Sequence, residues 1–561
     1  MSSSSQAITP ALVTQKAVKR MPRWALLLFC VAYVLPGLFG RDPWKGIDIA
    51  SFGHMWSLAQ GQASWLHPNV GGVLPSGGGI LPYWLGGAFI SALAPWLDPA
   101  LAARVPFALL LASVLSLTWY TTYHLARTKA AQPLPLAFGG EALPQDYARA
   151  VADGAVLALI ASLGLLQLGH ETTPELLQLA SGALFLYGMS AAVPRPFQGR
   201  LATLICLPVM AASGSPTVAV ELAAAGVLIC ALSDDSAMRA HLHWVAGSGL
   251  LAAALATALT LTGLSGWAMR VDAWPGLGPV IRLVTWFTWP VLPLAALTFW
   301  HWRRQVVRRH IAVPLFSALV GFGACLVMGA NDRALLQALP ALAVLAAFAL
   351  PILQRSLGSA IDWFSVFFFT TGAFFIWLTY GAMYTGVPAK MAGNVAKLVP
   401  GYITHFSWLA LILSAIGTVF WLALVRWRTS RQTHALWKSL VLPAGGVALC
   451  WLLSMTLLLP PLDQARSYRL LITRVKHHVP AGSCVAAPNA SSGLLTALEY
   501  FGRYRVDGLT PPASIPNGCA VMIMSLGAKQ PTPTIAGWRS VARESQRTRN
   551  SESVAIYRRE P

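Results

Sequence analysis

"GRDPWKGIDIASFGH", residues 40 to 54, decides how the chain is read. It gathers Arg41, Asp42, Lys45, Asp48 and His54 around Trp44 and Phe52, directly behind the apolar run "WALLLFCVAYVLPGLFG" at 24 to 40. Ionisable groups so close to an apolar run are costly unless they stand at the end of a membrane span and have a use there.

The rest of the sequence supplies the membrane. Of 561 residues 56% are hydrophobic and only 11% charged, with a mean hydropathy of +0.58, too apolar for a soluble domain of ordinary composition. Apolar stretches near the 20 residues a spanning helix needs recur from Trp24 to about Pro460. They predict 13 spans, near 24–40, 103–124, 151–168, 176–193, 199–213, 216–233, 242–264, 281–301, 311–329, 334–354, 362–383, 403–425 and 436–459. The expected fold class is therefore an all-α polytopic membrane protein with a small C-terminal α/β domain. Residues 1–23 form a cytoplasmic segment, 24–460 the membrane domain, and 461–561 the terminal domain. The first run lacks a small-residue cleavage site and reads as a retained anchor.

Loop charges orient these spans. A net charge of +20 resides mostly in short loops, which points to topology first and anionic membrane lipid second, and gives no reason to expect nucleic acid. With Lys16, Lys19, Arg20 and Arg23 cytoplasmic, the loops carrying Arg127 and Lys129, Arg195 and Arg200, Arg303 to Arg309, and Arg426 to Lys438 are cytoplasmic too. This holds only if "ILPYWLGGAFISALAPWL", residues 80 to 97, does not cross. Residues 41–102 then make one long outer loop. Within it Ile49, Phe52, Met55, Trp56 and Ala59 recur at helical spacing and predict a helix lying along the membrane surface.

The terminal domain falls on the same, periplasmic side. "GSCVAAPNASSGLLTALEYFGRYRV", "NGCAVMIMSLG", "GWRSVARES" and "ESVAIYRREP" predict strand, helix, strand and two late strands. Five of the seven cysteines lie in apolar spans, while Cys484 and Cys519 are left as a disulfide candidate. No metal-ligand spacing of the C-x-x-C type is present. The outer face collects Arg41, Asp42, Lys45, Asp48 and His54, then His170, Glu171 and Glu175 in "LGHETTPELLQLA". Arg270 and Asp272 follow in "GWAMRVDAWPG", with Asp332 and Arg333 in "GANDRALLQALP", and Lys390 and Lys397 beyond.

Read together, "GRDPWKGIDIASFGHMWSLAQG", "WLHPNVGGVLPSGGGILPYWLGGAFISALAPWL" and "ARVPFALL" resemble family 39 glycosyltransferases. This C-type group holds the lipid A aminoarabinose transferases and, more distantly, the protein O-mannosyltransferases. In that family an acid follows the first span, an amphipathic helix comes next, and a basic residue enters the second span. Asp48 matches the first-loop acid, Glu175 in "TTPEL" the acid opening the fourth span, and Arg333 the basic residue of an "LLP-x-x-PALA"-like stretch. Where the family has Glu-Lys-Pro-Pro before "YW", this chain has "PSGGGILPYW", with Ser76 and Gly77 in place of the charges.

The resemblance implies an inverting transferase in the bacterial inner membrane. Its donor would be an undecaprenyl-phosphate-linked sugar, and its acceptor lipid A, a polysaccharide or another glycan, or a protein. Asp48, Glu175 and Glu171 are then the expected catalytic carboxylates. Arg41, Asp42, Lys45, His54, Trp84, His170, Arg270, Asp332 and Arg333 are the expected substrate-binding set, with Lys45, Arg270 and Arg333 as clamps for the leaving phosphate. Trp44, Trp84, Trp267 and Trp274 either stack on sugar or form an interfacial belt. A divalent metal is compatible with the class, although no ligand set compels one. Two other classes compete: an altered relative that binds lipid or assists envelope assembly without transfer, and a transporter. The transporter reading is weakened by the absence of two similar halves.

Overall fold

Prolines mark where helices start in this chain. Pro99, Pro144, Pro174, Pro196 and Pro216 each open a helix, where the missing N–H costs no intrahelical bond. The structure is a computed structural model describing residues 9–77, 79–136, 138–264, 266–267, 271–429, 435–511, 519–527, 530–545 and 553–560. Its helices are α1 (Arg23–Val34), α2 (Ile47–Ala59), α3 (Leu81–Leu93), α4 (Pro99–Ala126), α5 (Pro144–Ala161), α6 (Leu163–Leu168), α7 (Pro174–Ala191) and α8 (Pro196–Ala212). They continue with α9 (Pro216–Ala231), α10 (Ser236–Leu261), α11 (Leu277–Phe287), α12 (Val291–Trp302), α13 (Arg309–Val327), α14 (Asp332–Leu335), α15 (Leu339–Ala349) and α16 (Arg355–Thr385). The last are α17 (Ala389–Leu398), α18 (Trp408–Thr429), α19 (Lys438–Ser454), α20 (Leu459–Arg466), α21 (Arg469–Val475) and α22 (Ser492–Tyr500).

Among the described residues six segments are long and apolar enough to cross a membrane: α4, α10, α13, Asp332–Ile352, α16 and α18. Two bent pairs, α11 with α12 at 93° and α19 with α20 at 73°, bring the number to eight if each counts as one span. The difference from 13 has a physical source, because unbroken apolarity in sequence need not be one long helix. The run 151–168 is cut at Ser162 into α5 and α6. The run 24–40 yields the 12-residue α1, about 18 Å long against a hydrocarbon core of about 30 Å. Pro290 stands at the α11–α12 bend, as expected where a ring displaces a helical hydrogen bond.

Helix α15 is the centre of the bundle, with every residue from Leu339 to Ala349 buried. In the segment containing it 83% of the apolar window is inside the protein, against 17% for α16 and 11% for α18. The latter two therefore present their Phe, Trp and Ile side chains outward, as lipid-facing helices do.

The C-terminal residues form a five-stranded sheet, ordered β2-β1-β3-β5-β4. The strands are β1 (Cys484–Ala486), β2 (Arg505–Asp507), β3 (Val521–Leu526), β4 (Trp538–Ser545) and β5 (Ser553–Arg559). β1 runs parallel to β2 and β3, with α22 as the crossover between β1 and β2, while β5 is antiparallel to β3 and β4. This is one strand more than the sequence reading. Cys484 and Cys519 are joined by a disulfide across a separation of 35 residues. Chain-entropy arguments put its stabilisation at about 4 kcal/mol for a loop of that size. Reductant is therefore expected to make this domain far more protease-sensitive in the full chain, and unchanged digestion with and without reductant would refute that.

The C-terminal residues dock on the segment 41–102. Gly53 of α2 lies against α22, where an added Cβ would meet Thr496 Oγ1 at 1.8 Å, so only glycine allows this approach. Asp42 accepts from Arg469 Nε at 2.7 Å and from Ser467 Oγ at 2.8 Å. Asp463 Oδ1 accepts from the Asp42 N–H and from Trp44 Nε1, both at 2.9 Å. Helix α2 is therefore not a surface helix with one wet face. Ser51, His54 and Ser57 are as buried as Ile49 and Phe52, because α3 covers one side and α22 the other. Amphipathic spacing identified the helix but could not reveal that Ile49, Phe52 and Trp56 face a distant domain, or that α3 buries His54 against Tyr83.

Candidate active site

Asp48 stands in the first turn of α2 and is 2% exposed. Its Oδ1 accepts the backbone N–H and the hydroxyl of Thr172, both at 2.8 Å. Its Oδ2 accepts the Trp44 N–H at 3.0 Å and faces Arg41 Nη2 at 3.6 Å. Burial alone would raise this carboxyl, but Arg41, Arg104 and the two backbone donors outweigh it and hold Asp48 below the usual carboxylate range.

The partner segment is the turn "GHETTP", residues 169 to 174, which enters α7. Successive residues in it take different partners. The His170 carbonyl accepts from Arg41 Nη2 at 2.6 Å, while its ring nitrogens face the carbonyls of Leu166 and Tyr33 at 2.6 and 2.8 Å. Burial pushes the imidazole down to about 4 despite those two acceptors, so it sits neutral and donates to one of them. Glu171 accepts from Arg333 Nη2 at 2.5 Å and from Gln167 Nε2 at 2.8 Å. Thr172 holds Asp48. Thr173 Oγ1 accepts from Arg333 Nη1 at 3.4 Å. Glu175 follows in the first turn of α7, its Oε2 3.7 Å from Arg333 Nη1.

One short turn thus brings Asp48, Glu171, Glu175, Arg41, His170 and Arg333 together. Their engagement differs. Asp48 and Glu171 have both oxygens occupied, whereas Glu175 Oε2 has no hydrogen-bond partner and its side chain is 20% exposed. Arg41 Nε and Arg104 Nη2 are likewise buried donors without an acceptor. Arg104, in the second turn of α4, was not singled out in the sequence, although "ARVPFALL" carries it.

Other expected residues lie elsewhere. Asp42 is committed to the C-terminal domain, and the Lys45 ammonium stands 4.8 Å over the Tyr468 ring. His54 packs edge-on against Tyr83, with ring centroids 5.2 Å apart, and burial takes it down to about 4. Trp84 donates to the Trp65 carbonyl. Trp44 is buried between Arg41 and Arg466, whose guanidinium carbons lie 4.6 and 4.8 Å from its ring; it is packed as a strut and has no face for sugar. Asp332 is exposed at the start of α14, and Arg270 lies outside the described residues. Ser76 and Gly77 are exposed in a loop lying on the α8–α9 turn, where a Cβ on Gly79 would come within 2.3 Å of the Ser213 carbonyl carbon. The charges of the family pattern are replaced here by close backbone contact. Among the described residues no three His, Cys, Asp or Glu side chains converge as a metal site needs, and Arg333 occupies the space between the two glutamates. The donor set among the described residues does not fit a divalent cation.

No protein-family model matches the sequence, and no curated protein matches it. Solved structures do match. ArnT from Cupriavidus metallidurans bound to undecaprenyl phosphate superposes with a TM-score of 0.63 at 14% identity, over 95% of this chain and 97% of that one. Its apo state gives 0.61 at 15% identity, with the same coverage. The chain has the ArnT fold. The match covers the helical bundle and the terminal sheet together.

Beside this site a cavity of about 1100 Å³ opens between the sheet domain and the ends of α2 and α4, lined by Trp56, Asp98, Arg469, Glu499, Tyr500 and Arg503 among others. Burial pushes the Glu499 carboxyl up to about 7 against one opposing N–H from Gly71. Between about 4.5 and about 7 the folded state then holds a proton that the unfolded chain has lost, so stability falls as pH rises through this window, by at most ~3 kcal/mol. Glu499→Gln should flatten the decline of the unfolding midpoint between about pH 5 and about pH 7.5. An unchanged slope would exclude Glu499 as its source.

Proposed function

We propose that this chain is a membrane glycosyltransferase that moves a sugar from an undecaprenyl-phosphate-linked donor to an acceptor on the side of the C-terminal domain. The observation that carries the reading is the turn at 170–175, which assembles three carboxylates and their cations at one end of the bundle. The undecaprenyl phosphate bound by ArnT, a protein of the same fold, supplies the donor class. The 13-span topology, the cytoplasmic N-terminus, the periplasmic sheet domain and the inner-membrane location belong to the same proposal.

In the proposed reaction an acceptor oxygen attacks the anomeric carbon as its bond to the lipid phosphate breaks, with inversion. The electron pair leaves on the phosphate, which takes the spare donors of Arg41 and Arg104, with Lys45 at the rim. Glu175, the carboxylate with an unused oxygen, meets the acceptor. It takes the proton of a hydroxyl acceptor; a lipid A phosphate has none to give and is only oriented. Asp48 is a positioning residue acting through Thr172, and Arg333 steadies Glu171 and Glu175.

Glu175→Gln should lower transfer by about 10²–10⁴-fold while lowering the unfolding midpoint only slightly, since Arg333 keeps its closer partner Glu171 at 2.5 Å. Transfer at the wild-type rate would remove Glu175 from the chemistry. The second reading, a relative that binds the prenyl-phosphate lipid without transfer, is favoured by Ser76 and Gly77. It requires bound lipid with no turnover in the same assay.

A further inference from the structure

The far end of α4 carries a second charged cavity that the transfer reaction does not use. Arg104 and His124 are 20 positions apart on this helix, about 30 Å at 1.5 Å per residue, which is the thickness of a hydrocarbon core. The cavity, about 1030 Å³, therefore opens on the membrane face opposite the candidate active site. Four connections build it: the segment after α4, the α7–α8 turn, the α9–α10 turn and the α12–α13 link.

Its lining is strongly unbalanced. Arg127, Lys129, Arg304, Arg308 and Arg309 face it against only two carboxylates, Asp234 and Asp235. The Arg308–Asp234 pair at 3.0 Å is largely exposed on both sides, and such pairs hold little. Asp235 is spent on the cap of α10. Deeper in, buried polar atoms have no partner: His124 Nδ1, Arg309 Nη1 and both ring nitrogens of His310. His124 is 5% and His310 0% exposed. Buried donors and acceptors are normally satisfied, and these atoms can bond to a polar group that enters the cavity. The rim is apolar, with Leu232 58% and Val307 67% exposed. A soluble phosphate has no use for such a rim, whereas an acyl chain does.

We propose that these four connections form a headgroup site for an anionic phospholipid, with the phosphodiester held by Arg127, Lys129, Arg304 and Arg309 and the chains leaving over Leu232 and Val307. The site does not depend on the transferase reading, and none of its residues is placed in that machinery. Basic pockets between helices at such a face suit phosphorylated headgroups.

The test is an equilibrium titration of the detergent-solubilised full chain with fluorescent-tailed phosphatidylglycerol. Arg127→Gln/Lys129→Gln/Arg304→Gln removes three exposed cations, and Arg200→Gln removes one outside the cavity. Matching thermal unfolding midpoints show that the variants are folded. The triple variant should bind roughly a hundredfold more weakly, Arg200→Gln should bind as wild type does, and phosphatidylcholine should not compete. Wild-type binding by the triple variant overturns the proposal, as does equal competition by phosphatidylcholine. Displacement by inorganic pyrophosphate at equal concentration overturns the lipid assignment in favour of a soluble anion.

Discussion

Asp48→Asn should abolish transfer and lower the unfolding midpoint together. The substitution keeps the shape but removes the charge that Arg41 and Arg104 face, and it leaves Arg41 buried without its carboxylate partner. Breaking one side of a buried pair costs about 3–5 kcal/mol. The amide nitrogen would face either the Trp44 N–H or the Thr172 donors, so one hydrogen bond is lost in either orientation. If Asp48 acts through the turn, Thr172→Val should reproduce part of the loss while leaving the charge in place, at about 1 kcal/mol of stability. A Thr172→Val enzyme with wild-type turnover, beside an inactive Asp48→Asn enzyme, would instead put Asp48 in direct contact with substrate. The pair of variants separates the positioning role from the catalytic one.

The second large effect is expected at Arg333. Its guanidinium lies 2.5 Å from Glu171 and 3.7 Å from Glu175, and the Glu171 side chain is only 4% exposed. Arg333→Gln alone should cost about 3–5 kcal/mol, because a buried carboxylate loses its partner. Adding Glu171→Gln should return most of that stability, the behaviour of two groups that act as one unit. Transfer should stay low in the double variant, since Glu175 has then lost the cation beside it. Full recovery of transfer along with stability would show that Arg333 serves only to neutralise Glu171.

Much of this arrangement was legible in the sequence, for identifiable reasons. The knot at residues 40–54 announced itself because ionisable groups beside an apolar run need a use, and "HETTPE" stood out by the same argument. Which of the carboxylates has a lone pair to spare was not legible, since that depends on Thr172 and Trp44 pointing N–H groups at Asp48 across 124 and 4 residues of sequence respectively. Arg104 lies inside a quoted motif, but nothing in its spacing places it beside Arg41 and Asp48. Asp463 and Arg469 gave no signal; they follow the last apolar run in a stretch of ordinary polarity, and only folding brings them to Asp42 and Trp44. The long helices are fewer than the apolar runs for a related reason. Hydropathy registers how long a chain stays apolar, whereas Ser162 and Pro290 break its helices without making it polar.

The most direct test supplies the purified, solubilised chain with an undecaprenyl-phosphate sugar labelled in the sugar, together with lipid A, polysaccharide or protein acceptors in turn. The account predicts that label leaves the lipid for one acceptor, that the new bond has the anomeric configuration opposite to the donor's, and that Glu175→Gln stops it. Donor lipid that binds tightly while its label never moves to any acceptor, or a product of retained configuration, would contradict the account.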